Sequence, residues 1–144
     1  MRVTRHRGIP PTKVGDLMTT EIAMIDPCQS IRAAADRMRE RRVGALLVMN
    51  EDRLVGIISE RDLLRAMADD LDPRFTPTSV CMTPHPSTIE PEAEAAEAAA
   101  RMVERRVRHL PVVRRGSLLG VISARDLLPL TEGVAAGAPG SEPW

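Results

Sequence analysis

The chain repeats itself. Displaced by 64 residues, positions 16–64 fall on 80–128 without a gap, and 22 of those 49 positions are identical. Met18 and Thr19 match Met82 and Thr83, Pro27 matches Pro91, and Met38 matches Met102. The run Arg41-Arg42-Val43 matches Arg105-Arg106-Val107. A repeat of this size must be recognised before any fold assignment, because each copy is one supersecondary unit. A half of this length cannot bury its apolar face alone, so the two copies must share the work of making a core.

Each copy ends on the same pattern, GIISERDLL at Gly56–Leu64 and GVISARDLL at Gly120–Leu128. An apolar run predicts a buried strand, and the Leu pair predicts an amphipathic helix. Ser59 and Ser123 stand at the junction in the N-cap position, with Asp62 and Asp126 three residues later. A helix start reached from a buried strand presents free N–H groups and a positive dipole end, which suits an anion. The carboxylate adds an acceptor for hydroxyls. Ser-x-x-Asp is also close to a capping box, which needs no ligand. Arg61 and Arg125 follow the cap and suit either a surface carboxylate or a phosphate.

The rest of each copy is read from periodicity. Ser30 starts a helix with Ile31, Ala34, Ala35 and Met38 on one face. Gly44–Met49 is a fully apolar run and predicts a buried strand. Asn50–Arg53 predicts a turn, and Leu54–Ile58 a second strand. The expected fold class is therefore mixed α/β (α+β), with two pseudo-symmetric β-α-β-β-α units packed sheet to sheet. The expected boundaries are a flexible N-terminal arm over 1–13, a first unit over 14–70 and a Pro- and Thr-rich linker over 71–79. A second unit covers 80–130, and 131–144 is a tail expected to be disordered.

The bulk composition excludes several functions. Formal net charge is zero, so no global field attracts nucleic acid or membrane. Phe75 and Trp144 are the only aromatic residues, which leaves no stacking platforms for single strands. The Arg-rich runs RMRERR and RMVERRVR interleave Glu and apolar residues, as a solvated helix face does. Cys28 and Cys81 lack metal-ligand spacing and are expected as free thiols. No apolar run approaches the roughly 20 residues of a membrane span, and the expected location is the cytoplasm. No nucleophile–base constellation or metal cluster argues for an enzyme.

With these motifs in place, the chain resembles the cystathionine-β-synthase (CBS) domain pair, or Bateman module, of the stand-alone kind. DLMT and VCMTP open the two units, VGALLV and VRHLPVV form the middle strands, and the Ser-x-x-Asp endings complete the likeness. The resemblance covers roughly Val14–Leu130. It implies two clefts between the units, a disc-like homodimer, and a regulatory, non-enzymatic role with no required cofactor.

It further implies an adenine nucleotide (AMP, ADP or ATP) as ligand, with S-adenosylmethionine or NAD(H) as alternative ligands. A ligand-free dimerisation module for an unknown protein partner is the other alternative. Asp62 with Ser59, and Asp126 with Ser123, would accept from the ribose hydroxyls. Arg108 and His109 would face phosphates, at positions that hold Gly44 and Ala45 in the first unit. The segments Thr20–Ile22 and Pro84–Pro86 would lie against the base. The second cleft is thus expected to be the better phosphate site.

Overall fold

The computed structural model describes residues 12–131. The arm before residue 12 and the tail beyond residue 131, expected flexible and disordered, lie outside the described residues. The first copy forms α1 (Val14–Leu17), β1 (Met24–Ile25), α2 (Ile31–Arg41), β2 (Ala45–Asn50), β3 (Arg53–Ser59) and α3 (Glu60–Ala68). The second forms α4 (Thr78–Cys81), β4 (Thr83–Pro84), α5 (Ala95–Arg105), β5 (His109–Arg114), β6 (Ser117–Ser123) and α6 (Ala124–Leu127). A short 3-10 helix follows over Leu128–Thr131. The fold is mixed α+β, as the repeat and its strand–helix alternation predict.

Local rules account for the elements. The Ser30 hydroxyl accepts from the Ala33 N–H at 3.1 Å and opens α2. Ile31, Ala34 and Met38 then bury one face, as Ala95, Ala98 and Met102 do on α5. Both helices end on an arginine in the left-handed region, Arg42 at φ 57° and Arg106 at φ 58°. Glycine is the usual residue at such a C-terminus. The hairpins β2–β3 and β5–β6 carry a register shift at matched points, Val48/Met49 and Val112/Val113.

Contacts divide the chain into two compact units that do not coincide with the sequence copies. One unit is Glu21–Ser87. Its sheet runs β1-β2-β3-β4, with β1 parallel to β2 and the other pairs antiparallel. Its core is Ala23, Ile25, Ile31, Ala34, Met38, Leu46, Val48, Ile58 and Ala66. β4, from the second copy, thus completes the sheet of the first.

The other unit contains residues 12–20 and 88–131. Val14, Ile89, Ala95, Ala98, Met102, Leu110, Val112, Ile122 and Leu127 form its core. Here Thr19 bridges Val121, in the same register as Thr83 against Ile57. Ile89 bridges Val112 in parallel. The leading segments of the two copies are therefore exchanged, and glycine permits it. A Cβ on Gly120 would lie 2.5 Å from the Thr19 carbonyl oxygen, and one on Gly56 would lie 2.9 Å from that of Thr83.

Three segments differ from the sequence expectation. Part of 71–79, expected as a linker, is bound to the start of α2. Thr76 and Pro73 accept from the N–H groups of Ile31 and Arg32 at 2.9 and 3.0 Å. These are helix-start donors without partners inside the helix. Thr12 and Lys13, placed in the arm, are also held: the Thr12 carbonyl accepts from the Ala95 N–H at 2.6 Å, and Lys13 pairs with Glu94.

The third difference is α6, which is one turn long where α3 has nine residues. Pro129 occupies the position of Arg65 in the repeat. It has no N–H to extend the helix, and the chain tightens into the 3-10 turn.

Candidate functional site

Both Ser-x-x-Asp motifs form hydrogen-bonded caps. Asp62 Oδ2 accepts from the Ser59 N–H at 2.8 Å and from the Ser59 hydroxyl at 3.1 Å. Asp126 Oδ2 accepts from the Ser123 N–H at 2.7 Å and from the Ser123 hydroxyl at 3.1 Å. One carboxylate oxygen therefore serves the cap in each copy, and in the first copy the Ser59 hydroxyl also accepts from the Asp62 N–H at 3.4 Å.

The copies differ at the other oxygen. Arg65 Nη1 lies 3.5 Å from Asp62 Oδ1. Pro129, at the matched position, carries no charge, so this ion pair has no counterpart on Asp126. Asp62 is also the more enclosed: it is buried and Asp126 is half-buried.

The strand register brings the basic pair to the second cap. His109 is the partner of Ser123 across β5–β6, and the Arg108 carbonyl accepts from the Ala124 N–H at 2.8 Å. Both basic residues are half-buried. In the other unit Ala45 faces Ser59, and the Gly44 carbonyl accepts from the Glu60 N–H at 3.0 Å. The backbones are alike and only the side chains differ.

The twelve expected site residues fall into two sets of six. Thr20, Arg108, His109, Ser123, Arg125 and Asp126 belong to the unit holding residues 12–20 and 88–131. Ile22, Ser59, Arg61, Asp62, Pro84 and Pro86 belong to Glu21–Ser87. Thr20 and Ile22, read from the sequence as one segment, fall on either side of the boundary. Pro84 pairs with Gly56 on the sheet edge, where a missing N–H is tolerated. His85 is exposed, with φ at 49°. Arg61 and Arg125 are exposed.

Sequence reasoning did not single out Arg65. The mismatch of Arg65 with Pro129, at the next position after the matched stretch, was the available signal. Cys81 lies near the Ser59–Asp62 set. Burial pushes its thiol pKa up, and the negative charges of Asp62 and Asp69 add to the rise. Among the described residues no group of His, Cys, Asp and Glu could hold a metal ion. No helix among them is long and apolar enough to cross a membrane.

This geometry has close parallels. The CBS domain family matches residues 14–69 and again residues 78–131. The CBS domain-containing protein YhcV of Bacillus subtilis is 33% identical over 117 residues, spanning 81% of this chain and 83% of that protein. A protein with CBS domains from Burkholderia ambifaria superposes with a TM-score of 0.80 at 30% identity, covering 92% of this chain and 98% of its own. The CBS domain protein PAE2072 of Pyrobaculum aerophilum, solved in complex with AMP, gives a TM-score of 0.75 at 32% identity, covering 81% and 90%.

Proposed function

The chain belongs to the CBS-domain family and carries its domain twice in tandem, and on that premise we propose that it is a non-enzymatic regulatory module that binds an adenine nucleotide. The observation that carries this reading is the register of His109 with Ser123. It sets His109 opposite Ser123, and the Arg108 backbone lies against the start of α6, the short helix that carries the Asp126 carboxylate. Asp126 accepts from the ribose hydroxyls with Ser123 beside it. Arg108 and His109 meet the phosphates, and exposed Arg125 is a further phosphate contact. Thr20 lies against the base. The AMP bound to PAE2072 supports the ligand class.

The Glu21–Ser87 unit offers a second, weaker site. Ser59 and Asp62 supply the ribose contacts, Ile22, Pro84 and Pro86 the base contacts, and Arg61 the one phosphate candidate. A charge-assisted hydrogen bond contributes on the order of 1.5–3 kcal/mol, or about tenfold and more in affinity. Having Gly44 and Ala45 in place of Arg108 and His109 therefore separates the two sites.

Isothermal titration with AMP and adenosine tests this assignment. Asp126→Ala should abolish the tighter site, and Asp62→Ala should affect only the weaker one. Arg108→Ala should weaken AMP about tenfold and leave adenosine nearly unchanged. Equal losses for both ligands would make Arg108 structural. A thermal-shift screen with AMP, ATP, NAD and S-adenosylmethionine fixes the ligand, because a ligand of the folded state raises the melting temperature by mass action.

The exposed apolar residues of α3 support self-association. Leu64 is 66% exposed and Met67 is 72% exposed, one turn apart on the same helix face. We infer that a second copy of the chain covers this face in a homodimer. Leu128 shares the exposed character, whereas Leu127 packs into the core. Light scattering at micromolar concentration should give twice the chain mass, and a monomer overturns the inference.

A further inference from the structure

We infer that Arg65 sets the affinity of the Ser59–Asp62 site, by holding Asp62 in an ion pair that a ribose diol must displace; this rests on the nucleotide reading of that site. Asp62 Oδ2 is committed to Ser59, through bonds of 2.8 and 3.1 Å. A vicinal diol brings two donors, so it needs Oδ1 as well. Arg65 Nη1 stands 3.5 Å from that oxygen, and Asp62 is only 8% exposed. A diol and Arg65 therefore compete for one atom. Arg65 acts through Asp62 and is a positioning residue.

The two copies make the comparison internally. Their caps match in spacing and in hydrogen bonding to Oδ2. At the position of Arg65 the second copy has Pro129, which leaves Asp126 without this competitor. The second site therefore differs from the first twice over, in the phosphate-facing pair and in access to the carboxylate. The first effect acts on phosphorylated ligands alone, whereas the second acts equally on an uncharged nucleoside.

The pair is long and the Arg65 side chain is 66% exposed, so its influence is that of a surface ion pair. Such a pair is worth at most about 1 kcal/mol, a factor of about five in affinity. Salt weakens it, since the Debye length falls from roughly 14 Å at 0.05 M to about 4 Å at 0.5 M. Adenosine carries no charge, so any salt response of its binding reports on the protein.

The test is isothermal titration of adenosine into full-length protein carrying Asp126→Ala, which leaves the Ser59 site alone. Arg65→Met removes the charge and keeps a good helix former. It should tighten adenosine binding by about two- to fivefold, and Arg65→Lys should restore the weaker value. Raising salt should tighten adenosine binding to the Arg65 protein and leave the Met variant unchanged. The salt response of the Arg65 protein needs no change at position 65: adenosine affinity that fails to rise with salt overturns the inference even where that variant fails to fold. Unchanged or weaker binding by Arg65→Met, or equal salt responses, overturns the inference alone. If adenosine binds the intact chain but not the Asp126→Ala protein, the nucleotide reading of the Ser59 site fails and this inference falls with it.

Discussion

Thr19 and Val121 exchange two main-chain hydrogen bonds, at 2.9 and 3.0 Å, across the two copies of the repeat. Thr83 repeats the arrangement against Ile57. The unit of folding is therefore not the unit of sequence. Each copy supplies its first turn and following extended residues to the sheet formed mainly by the other.

Fragments should reveal this difference. A fragment of residues 21–87 contains β1, β2, β3 and β4 with their shared core. A fragment of 14–70 is ten residues shorter and lacks α4 and β4. It also keeps α1 without Ala93 and Pro91, whose carbonyls accept from the Val14 and Gly15 N–H groups at 2.8 and 2.9 Å. The first fragment should keep more secondary structure by circular dichroism, and melt at a higher temperature, than the second. The reverse result would restore the sequence copy as the folding unit.

The legible parts of the chain were those fixed by short-range rules. Ser30, Ser59 and Ser123 follow from capping preference, and the α2 face follows from 3.6-residue spacing. The exchange was not legible, because a main-chain bridge between Thr19 and Val121 leaves no mark on side-chain pattern. The same holds for 71–79. Its carbonyls cap α2 whatever side chains they carry, so a Pro- and Thr-rich composition reads as a linker. Within the candidate site the sequence offers Asp62 and Asp126 as candidates but not the ion pair that distinguishes them. That contrast depends on Arg65 reaching back one turn of α3, while Pro129 ends α6.

Gly120→Ala should destabilise the chain and loosen the proposed site together. The new Cβ would lie 2.5 Å from the Thr19 carbonyl, a backbone atom that cannot rotate away. Relief requires moving the Thr19–Val121 bridge and the adjacent Thr20. Overpacking of this kind costs about 1–3 kcal/mol. Chemical denaturation should show that loss, and AMP affinity should fall with it. Gly116→Ala is the control. It has open space but φ 81°, so its cost comes from backbone strain and should leave AMP affinity unchanged.

Thr78→Val should stabilise the protein. Thr78 is fully buried, and its Oγ1 has no hydrogen-bond partner among the described residues. A buried hydroxyl left unpaired costs about 1–3 kcal/mol by the measure of protein mutants. Val14 occupies the matched position in the other copy and is equally buried. That site shows that valine suits this helix start. The Thr78 N–H, which donates to the Gln29 carbonyl at 2.7 Å, is kept by the substitution. The denaturation midpoint should rise by the equivalent of about 1 kcal/mol with an unchanged slope. A lower midpoint would mean that the hydroxyl is satisfied in solution.

The two cysteines should react at different rates. Cys28 is exposed, whereas Cys81 is half-buried and packs against the Glu21–Ser87 core. Burial raises the Cys81 pKa first, and the charges of Asp62 and Asp69 raise it further. The thiolate is the reactive species, so at a given pH Cys81 has both less access and less thiolate. Alkylation near pH 7.5, followed by peptide mass spectrometry, should modify Cys28 well before Cys81. The sign of the stability effect follows from the same shift. The unfolded chain ionises its thiol near pH 8.5, while the folded chain holds the proton to higher pH. The Cys81 contribution to stability is therefore complete below that pH and is lost as pH rises toward the folded value. Cys81→Ala should flatten this part of the stability profile. Equal labelling rates would refute the burial argument, and a native mass two hydrogens short, with neither thiol alkylated after unfolding, would show a disulfide instead of free thiols.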